Sequence, residues 1–333
     1  MLALFFALSL WLAGCSTKVE PITLNGQTMG TTWSAVISKP VGASKEELAR
    51  RIQQELDRVN KLMSTYDPSS ELSLFNSSVS EDWQPQSAEL VDLIATAKKI
   101  TEASNGGFDV TVGPLVNLWG FGPEAEPETV PSEEQISAAK ALVGSDQVLI
   151  GENPSSLKKQ AAAVYVDLSA IAKGYGVDQM ALLLEKQGIG DYLVEIGGEL
   201  RANGLSPRGD SWRIGIERPS EAERSIQQAV KLGDGALATS GDYRNYYERD
   251  GVRYAHTIDA RTGKPVEHKL ASVSVYHEST ALADGWATAL MVLGEVEGPK
   301  VADALGLAAY FLYREGDSFA HYQTQSFAPL IEE

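Results

Sequence analysis

The sequence predicts an α+β fold, a single compact unit of mixed strands and helices, and three observations carry that prediction. Short β-rich runs and helical periodicities are mixed along the chain without the strict alternation of a doubly wound sheet. No internal repeat or low-complexity block interrupts the 333 residues. The one stretch rich in Pro and Glu, residues 122–131, reads as a loop and not as a domain linker.

Taken in order, residues 22–37 have β composition, with Gly26 and Gly30 expected to break it. Ser44 with Glu47 forms a capping box, after which Leu48, Ile52, Leu56, Val59 and Leu62 recur at helical spacing. A second helix opens near Ser87, presents Leu90, Leu93, Ile94, Ala97 and Ile100 on one face, and stops at Asn105-Gly106-Gly107. Pro131-Ser132 with Gln135 opens a third. Strands are expected at 148–150, 164–168, 192–196, 212–216, 254–258 and 271–276, with helices at 171–187 and 279–293.

The N-terminus carries a different signal. Residues 1–14 are uncharged and apolar, but a spanning helix needs roughly 20 such residues. The run reads as a signal-peptide core. It ends in Leu12-Ala13-Gly14-Cys15, which resembles the lipobox of bacterial lipoproteins, although no Lys or Arg precedes it. Cys15 would then be lipidated, residues 15–21 would form a tether, and residues 22–333 the mature domain. Cys15 is the only cysteine, so neither an internal disulfide nor a thiolate zinc site can form.

Acids outnumber bases 45 to 28, giving a net charge of −17. Grip on a phosphate backbone comes from Lys and Arg, so nucleic acid is excluded as a partner. An acidic protein that handles an anionic substrate needs a bound cation or backbone donors to receive it.

Four constellations could carry chemistry. Asp284 and Thr288, one turn apart on the helix at 279–293, stack two hard oxygen donors suited to Mg²⁺; a solvated Asp and a Thr bonded back to its own helix is the plainer alternative. Asp167-Leu168-Ser169-Ala170-Ile171-Ala172-Lys173-Gly174-Tyr175-Gly176 reads as strand, turn and helix start, where free backbone groups and a Lys could meet phosphate. A strand, turn and helix with an exposed Lys is the plainer alternative. Gly106-Gly107-Phe108-Asp109, running on to Trp119-Gly120-Phe121-Gly122, sets glycines beside aromatics and suits a flat ring system; Asp109 could bond such a ring or cap a turn. His256 is the histidine best placed for general-base work, against the common case of a packed histidine.

These segments, in this order, resemble the FAD:protein FMN transferases, the ApbE flavin transferases. The likeness also covers Thr28-Met29-Gly30-Thr31-Thr32-Trp33, Met63-Ser64-Thr65-Tyr66, Glu195-Ile196-Gly197-Gly198-Glu199, Thr239-Ser240-Gly241-Asp242-Tyr243-Arg244 and residues 256–265, nearly the whole mature chain. It implies an ApbE-type, T-fold-like catalytic unit that transfers FMN from FAD to a Thr or Ser hydroxyl of an acceptor protein, releasing AMP. It implies that Met29, Tyr66, Gly107, Phe108, Asp109, Asp167, Lys173 and Ile258 line the FAD pocket. Mg²⁺ would sit on the Ala170 carbonyl, on Asp284 and Thr288, and on the Ala287 carbonyl, with His256 assisting the acceptor hydroxyl. The lipobox fits a periplasmic protein anchored in a Gram-negative membrane, with subunits of membrane redox complexes as acceptors. Two positions depart from the common pattern: Ala260 stands where Pro usually follows the Asp, predicting a looser turn up to Thr262-Gly263, and Lys173 replaces an acid found in some members. Hydrolysis of FAD to FMN and AMP, or flavin binding without catalysis, would use the same pocket.

Overall fold

The structure is a computed structural model that describes all residues except 1–19, 41, 43, 124–126, 128, 153–154, 220–224, 244–245, 250, 317 and 333. The signal segment and Cys15 therefore lie outside the described residues, as do much of the tether and part of the loop at 122–131.

Eight strands form one antiparallel sheet in chain order: β1 (Ile22–Thr28), β2 (Thr31–Ile37), β3 (Tyr192–Ile196), β4 (Glu199–Asn203), β5 (Gly235–Gly241), β6 (Leu270–His277), β7 (Ala308–Glu315) and β8 (Ser318–Gln323). The helices are α1 (Lys45–Met63), α2 (Glu71–Ser77), α3 (Ala88–Ala103), α4 (Gly113–Leu118), α5 (Glu133–Lys140), α6 (Ser169–Lys186) and α7 (Thr280–Leu305). The architecture is α+β, as the composition of the segments predicts.

Side-chain alternation decides which face each strand buries. On one face, Trp33, Ala35, Tyr192, Val194 and Ile196 pack against Leu48, Ile52 and Leu56 of α1 and against Val177, Met180 and Leu184 of α6. Farther along that face, Ala238, Val273 and Phe311 meet Ala283, Ala287 and Leu290 of α7. The neighbouring residues Leu237, Tyr310 and Leu312 point the other way, into a cluster with Trp212, Ile216, Val230 and Phe327. That cluster is closed by a separate hairpin of Arg213–Glu217 with Ile226–Lys231.

Several expectations need correction. Gly26 does not interrupt β1; it pairs with Trp33, and a Cβ at this position would lie 2.4 Å from the indole Nε1. The break falls at Met29-Gly30, where φ values of 48° and 71° make the primed type of turn that suits a hairpin. Residues 164–168 form no strand. Their backbone is satisfied one group at a time: the Asn76 side chain gives Nδ2–H to the Val166 carbonyl and accepts the Val166 N–H, both at 2.8 Å, and the Asp167 N–H donates to the Val110 carbonyl at 2.7 Å. The run at 254–258 is two pieces, Val252–Ala255 and Ile258–Asp259, with His256 and Thr257 between them. Ser44 accepts the Glu47 N–H, but the Glu47 carboxylate turns to Arg50 and Arg51 and does not close the box. Both arms are made at Ser132 and Gln135. The first segment of α7 ends where predicted, because Gly294 at φ 72° turns the chain before a second segment runs on to Leu305. The turn after Asp259 is tight without proline, since the Asp259 carbonyl accepts from Thr262 N–H and Gly263 N–H and its carboxylate accepts from Arg261 N–H.

Candidate active site

A cavity of about 650 Å³ opens where β3 turns into β4 at Gly197-Gly198. It collects segments far apart in sequence: the Gly-Phe-Asp segment after α3, the start of α6, the end of β5, the His256 junction and the first turns of α7. Of the residues singled out from the sequence, Tyr66, Gly107, Phe108, Asp109, Asp167, Ala170, Lys173, His256, Ile258, Asp284 and Thr288 all line it. Met29 and Ala287 do not: Met29 sits in the β1–β2 turn with its methyl group against Gly176 of α6, and Ala287 is fully buried within α7.

The close approach of α6 to α7 builds the centre of the site. Gly174 makes it possible, because a Cβ there would stand 2.3 Å from the Thr280 carbonyl oxygen and 2.8 Å from the Asp284 Cβ. The Gly174 N–H donates to Asp284 Oδ2 at 3.0 Å. In a regular helix that N–H belongs to the carbonyl four residues back, which is Ala170, so the carboxylate competes for the usual donor of that carbonyl. Thr288 Oγ1 lies 3.2 Å from Ser240 Oγ of β5.

Lys173 reaches between two buried acids, 2.9 Å from Glu199 Oε1 and 3.9 Å from Asp284 Oδ1. Burial raises the pKa of Asp284, against the opposing pull of the Lys173 ammonium and the Gly174 N–H. Burial likewise pushes Glu199 up to about 7, opposed by Lys173 and reinforced by the charge of Asp284. For Lys173, burial works against the charged form, but Asp284 and Glu199 outweigh it and hold the ammonium above its usual range. In the sequence, Glu199 stands only as the last residue of Glu195-Ile196-Gly197-Gly198-Glu199 and carries no role of its own. Its signal was the Gly-Gly pair before it, with φ values of 60° and 113°, which folds the chain back so that Glu199 pairs with Ile196 and enters the wall.

Other residues have quieter local duties. Asp109 Oδ1 accepts both the N–H and the hydroxyl of Thr111, at 2.8 and 2.6 Å, so the carboxylate caps its own turn while facing the cavity. Burial raises its pKa, and those hydrogen bonds oppose the rise. Asp167 accepts the Ser169 N–H at 2.8 Å and thereby starts α6. His256 is half-buried, edge-on to Phe121 at 6.4 Å between ring centroids.

The described lining carries six carboxylates, from Asp109, Asp167, Glu195, Glu199, Glu217 and Asp284, against one ammonium, from Lys173. Such a wall repels an anion unless a cation joins it. Among the described residues no three His, Cys, Asp or Glu side chains converge. A cation held here would therefore use few acidic ligands, and Asp284 with the Thr288 hydroxyl and the Ala170 carbonyl are hard donors that fit Mg²⁺. The second Glu199 oxygen, Oε2, is buried without a hydrogen-bond partner in the same wall.

Comparison with known proteins gives this geometry its relatives. The ApbE family profile matches residues 29–311. The FAD:protein FMN transferase of Vibrio cholerae is 46% identical over 323 residues, covering 97% of this chain and 96% of that protein. The Escherichia coli K12 protein of the same name is 41% identical over 335 residues, covering 98% and 95%. Among solved structures, the flavin transferase ApbE from Vibrio cholerae superposes with a TM-score of 0.87 at 45% identity, covering 93% of this chain and 99% of the other. The ApbE protein of Thermotoga maritima gives 0.83 at 30% identity, covering 94% and 100%. Likeness of this extent, in sequence and in fold together, means that the chain belongs to the ApbE family.

Proposed function

We propose that the chain is an FAD:protein FMN transferase that moves FMN from FAD onto a Thr or Ser hydroxyl of an acceptor protein and depends on Mg²⁺. The observation that carries the reading is the acidic cavity, whose six carboxylates disfavour a dinucleotide's diphosphate unless a cation joins them, and Asp284, Thr288 and the Ala170 carbonyl offer hard donors for a divalent one. Once bound, that ion supplies charge neutralisation to the diphosphate and to the transition state. Tyr66, Phe108, Asp109, Asp167, Lys173 and Ile258, all in the cavity lining, would receive the FAD.

The reaction forms one bond and breaks one. The acceptor hydroxyl oxygen attacks the phosphorus on the FMN side, the phosphoanhydride bond breaks, and AMP leaves with the bridging oxygen. His256 takes the hydroxyl proton. Phosphoryl transfer asks the protein mainly for alignment, which the clamped α6–α7 contact provides. Anchoring through a lipid on Cys15, on the periplasmic side of a bacterial membrane, belongs to the same proposal and rests on Leu12-Ala13-Gly14-Cys15. It places membrane redox subunits within reach as acceptors. A Cys15→Ser chain that still incorporated labelled palmitate would remove the anchor from the proposal.

The direct test incubates the purified chain with FAD, Mg²⁺ and a candidate acceptor, then weighs the acceptor by mass spectrometry and measures AMP. The expected result is an acceptor heavier by one FMN, with AMP released in equal amount, and neither in Asp284→Ala. AMP released at the same rate without acceptor, and no mass gain, would make the protein a hydrolase. FAD held tightly in Mg²⁺ with no AMP at all would make it a carrier.

A further inference from the structure

Lys173 lies within ion-pair reach of two carboxylates and hydrogen-bonds only one of them. Its ammonium is 2.9 Å from Glu199 Oε1 and 3.9 Å from Asp284 Oδ1. Both acids are fixed from outside the pair: Asp284 by the Gly174 N–H of α6, and Glu199 by β4, whose first residue pairs with Ile196 across the Gly197-Gly198 turn. Lys173 is the movable member, a point charge on a flexible four-carbon stem. Glu199 is 4% exposed, its second oxygen has no partner, and among the described residues Lys173 is the one cation that pairs with it, beside a hydrogen bond from its own backbone. An unmatched polar atom of this kind is costly, and the ion pair with Lys173 is the one long-range contact that accounts for an acid standing there.

We propose that Glu199 is a positioning residue that holds the Lys173 ammonium away from Asp284 and so keeps that carboxylate open to a divalent cation. Without Glu199, the nearest carboxylate for the ammonium is Asp284, where it occupies the place of the metal's charge. The inference rests on the assignment of Asp284 as a metal ligand and adds a competitor and a restraint to it.

The test measures binding of Mn²⁺ alone to the full chain in detergent at pH 8, by loss of the free-ion EPR signal, for the unaltered chain and for Glu199→Gln, Lys173→Met and the double variant. Thermal melts of each confirm folding. Glu199→Gln should weaken binding by ~10–100-fold, the usual effect of a residue that acts through a metal ligand's neighbour. The double variant should return to the affinity of Lys173→Met, because removing the competitor makes the restraint unnecessary. Equal affinity in Glu199→Gln and the unaltered chain would overturn the proposal. So would a double variant as weak as Glu199→Gln, which would make Glu199 a simple source of negative charge. No Mn²⁺ binding by the unaltered chain would instead remove the metal assignment itself.

Discussion

His256 sits in the two-residue gap between Val252–Ala255 and Ile258–Asp259, where the chain leaves one short hairpin for another and turns a side chain into the cavity. Its replacement by Ala should lower kcat by ~10²–10⁴-fold, the span of a lost general base, with an unchanged circular dichroism spectrum; a loss below tenfold would assign the proton to another acceptor. Single residues were legible in the sequence where chemistry and spacing coincide. Asp284 and Thr288 stand one helical turn apart, and the structure sets both on the cavity wall. Glu199 was not legible as part of the site, since its partner Lys173 lies 26 positions away on α6 and no local pattern joins them. Asp178 was equally hidden. Its carboxylate accepts from the Ser279 and Thr280 hydroxyls and the Thr280 and Ala281 N–H groups, and pairs with Arg201 at 3.0 Å. Asp178→Ala leaves those groups without an acceptor and should cost about 3 kcal/mol, the scale for opening a buried charge pair, read as a lower urea midpoint.

Between elements, the decisive contact is α6 on α7. It brings Lys173 and Gly174 beside Asp284, and its closeness depends on the missing Cβ of Gly174. Gly174→Ala meets main-chain atoms of Thr280 that cannot rotate away, so the helices must separate. The expected cost is about 2–3 kcal/mol of overpacking, together with loss of flavin transfer. A variant with unchanged thermal midpoint and full activity would show that the contact tolerates a wider spacing. Helices were read well because caps and a 3.6-residue period are local signals: Ser87, Ser132 and the apolar face of α1 all hold. Strands were read less well. β5, Gly-Ala-Leu-Ala-Thr-Ser-Gly, has few of the β-branched and aromatic residues that mark a strand, yet it lies mid-sheet between β4 and β6. There, small residues leave room for α7 on one face and for the cavity at its end. The opposite error occurred at residues 164–168, where the strand-like Val164 and Val166 are fully buried but bonded through the Asn76 side chain and not through a ladder.

For the whole molecule, the acidic balance of the chain is concentrated in meaning at one place, the cavity. Burial raises the Glu199 carboxyl from 4.5 to about 7. Between those values the folded chain keeps a proton that the unfolded chain has lost, so this group's contribution to stability is full below about pH 4.5 and declines as pH rises toward 7. Urea midpoints measured in EDTA across that range should fall with pH, and Glu199→Gln, which cannot titrate, should flatten the decline; an identical slope in the variant would place the titration elsewhere. By itself the sequence determined the α+β class, the long helices and their caps, the acidic character of the chain, and the family likeness. These follow from near-neighbour patterns and composition. Tertiary structure alone decided that Glu199 faces Lys173, that Met29 and Ala287 are not among the residues lining the cavity, and that residues 164–168 stay out of the sheet. Each of those outcomes depends on groups brought together from distant parts of the chain, where packing space and unmet hydrogen bonds, not local preference, select the partner.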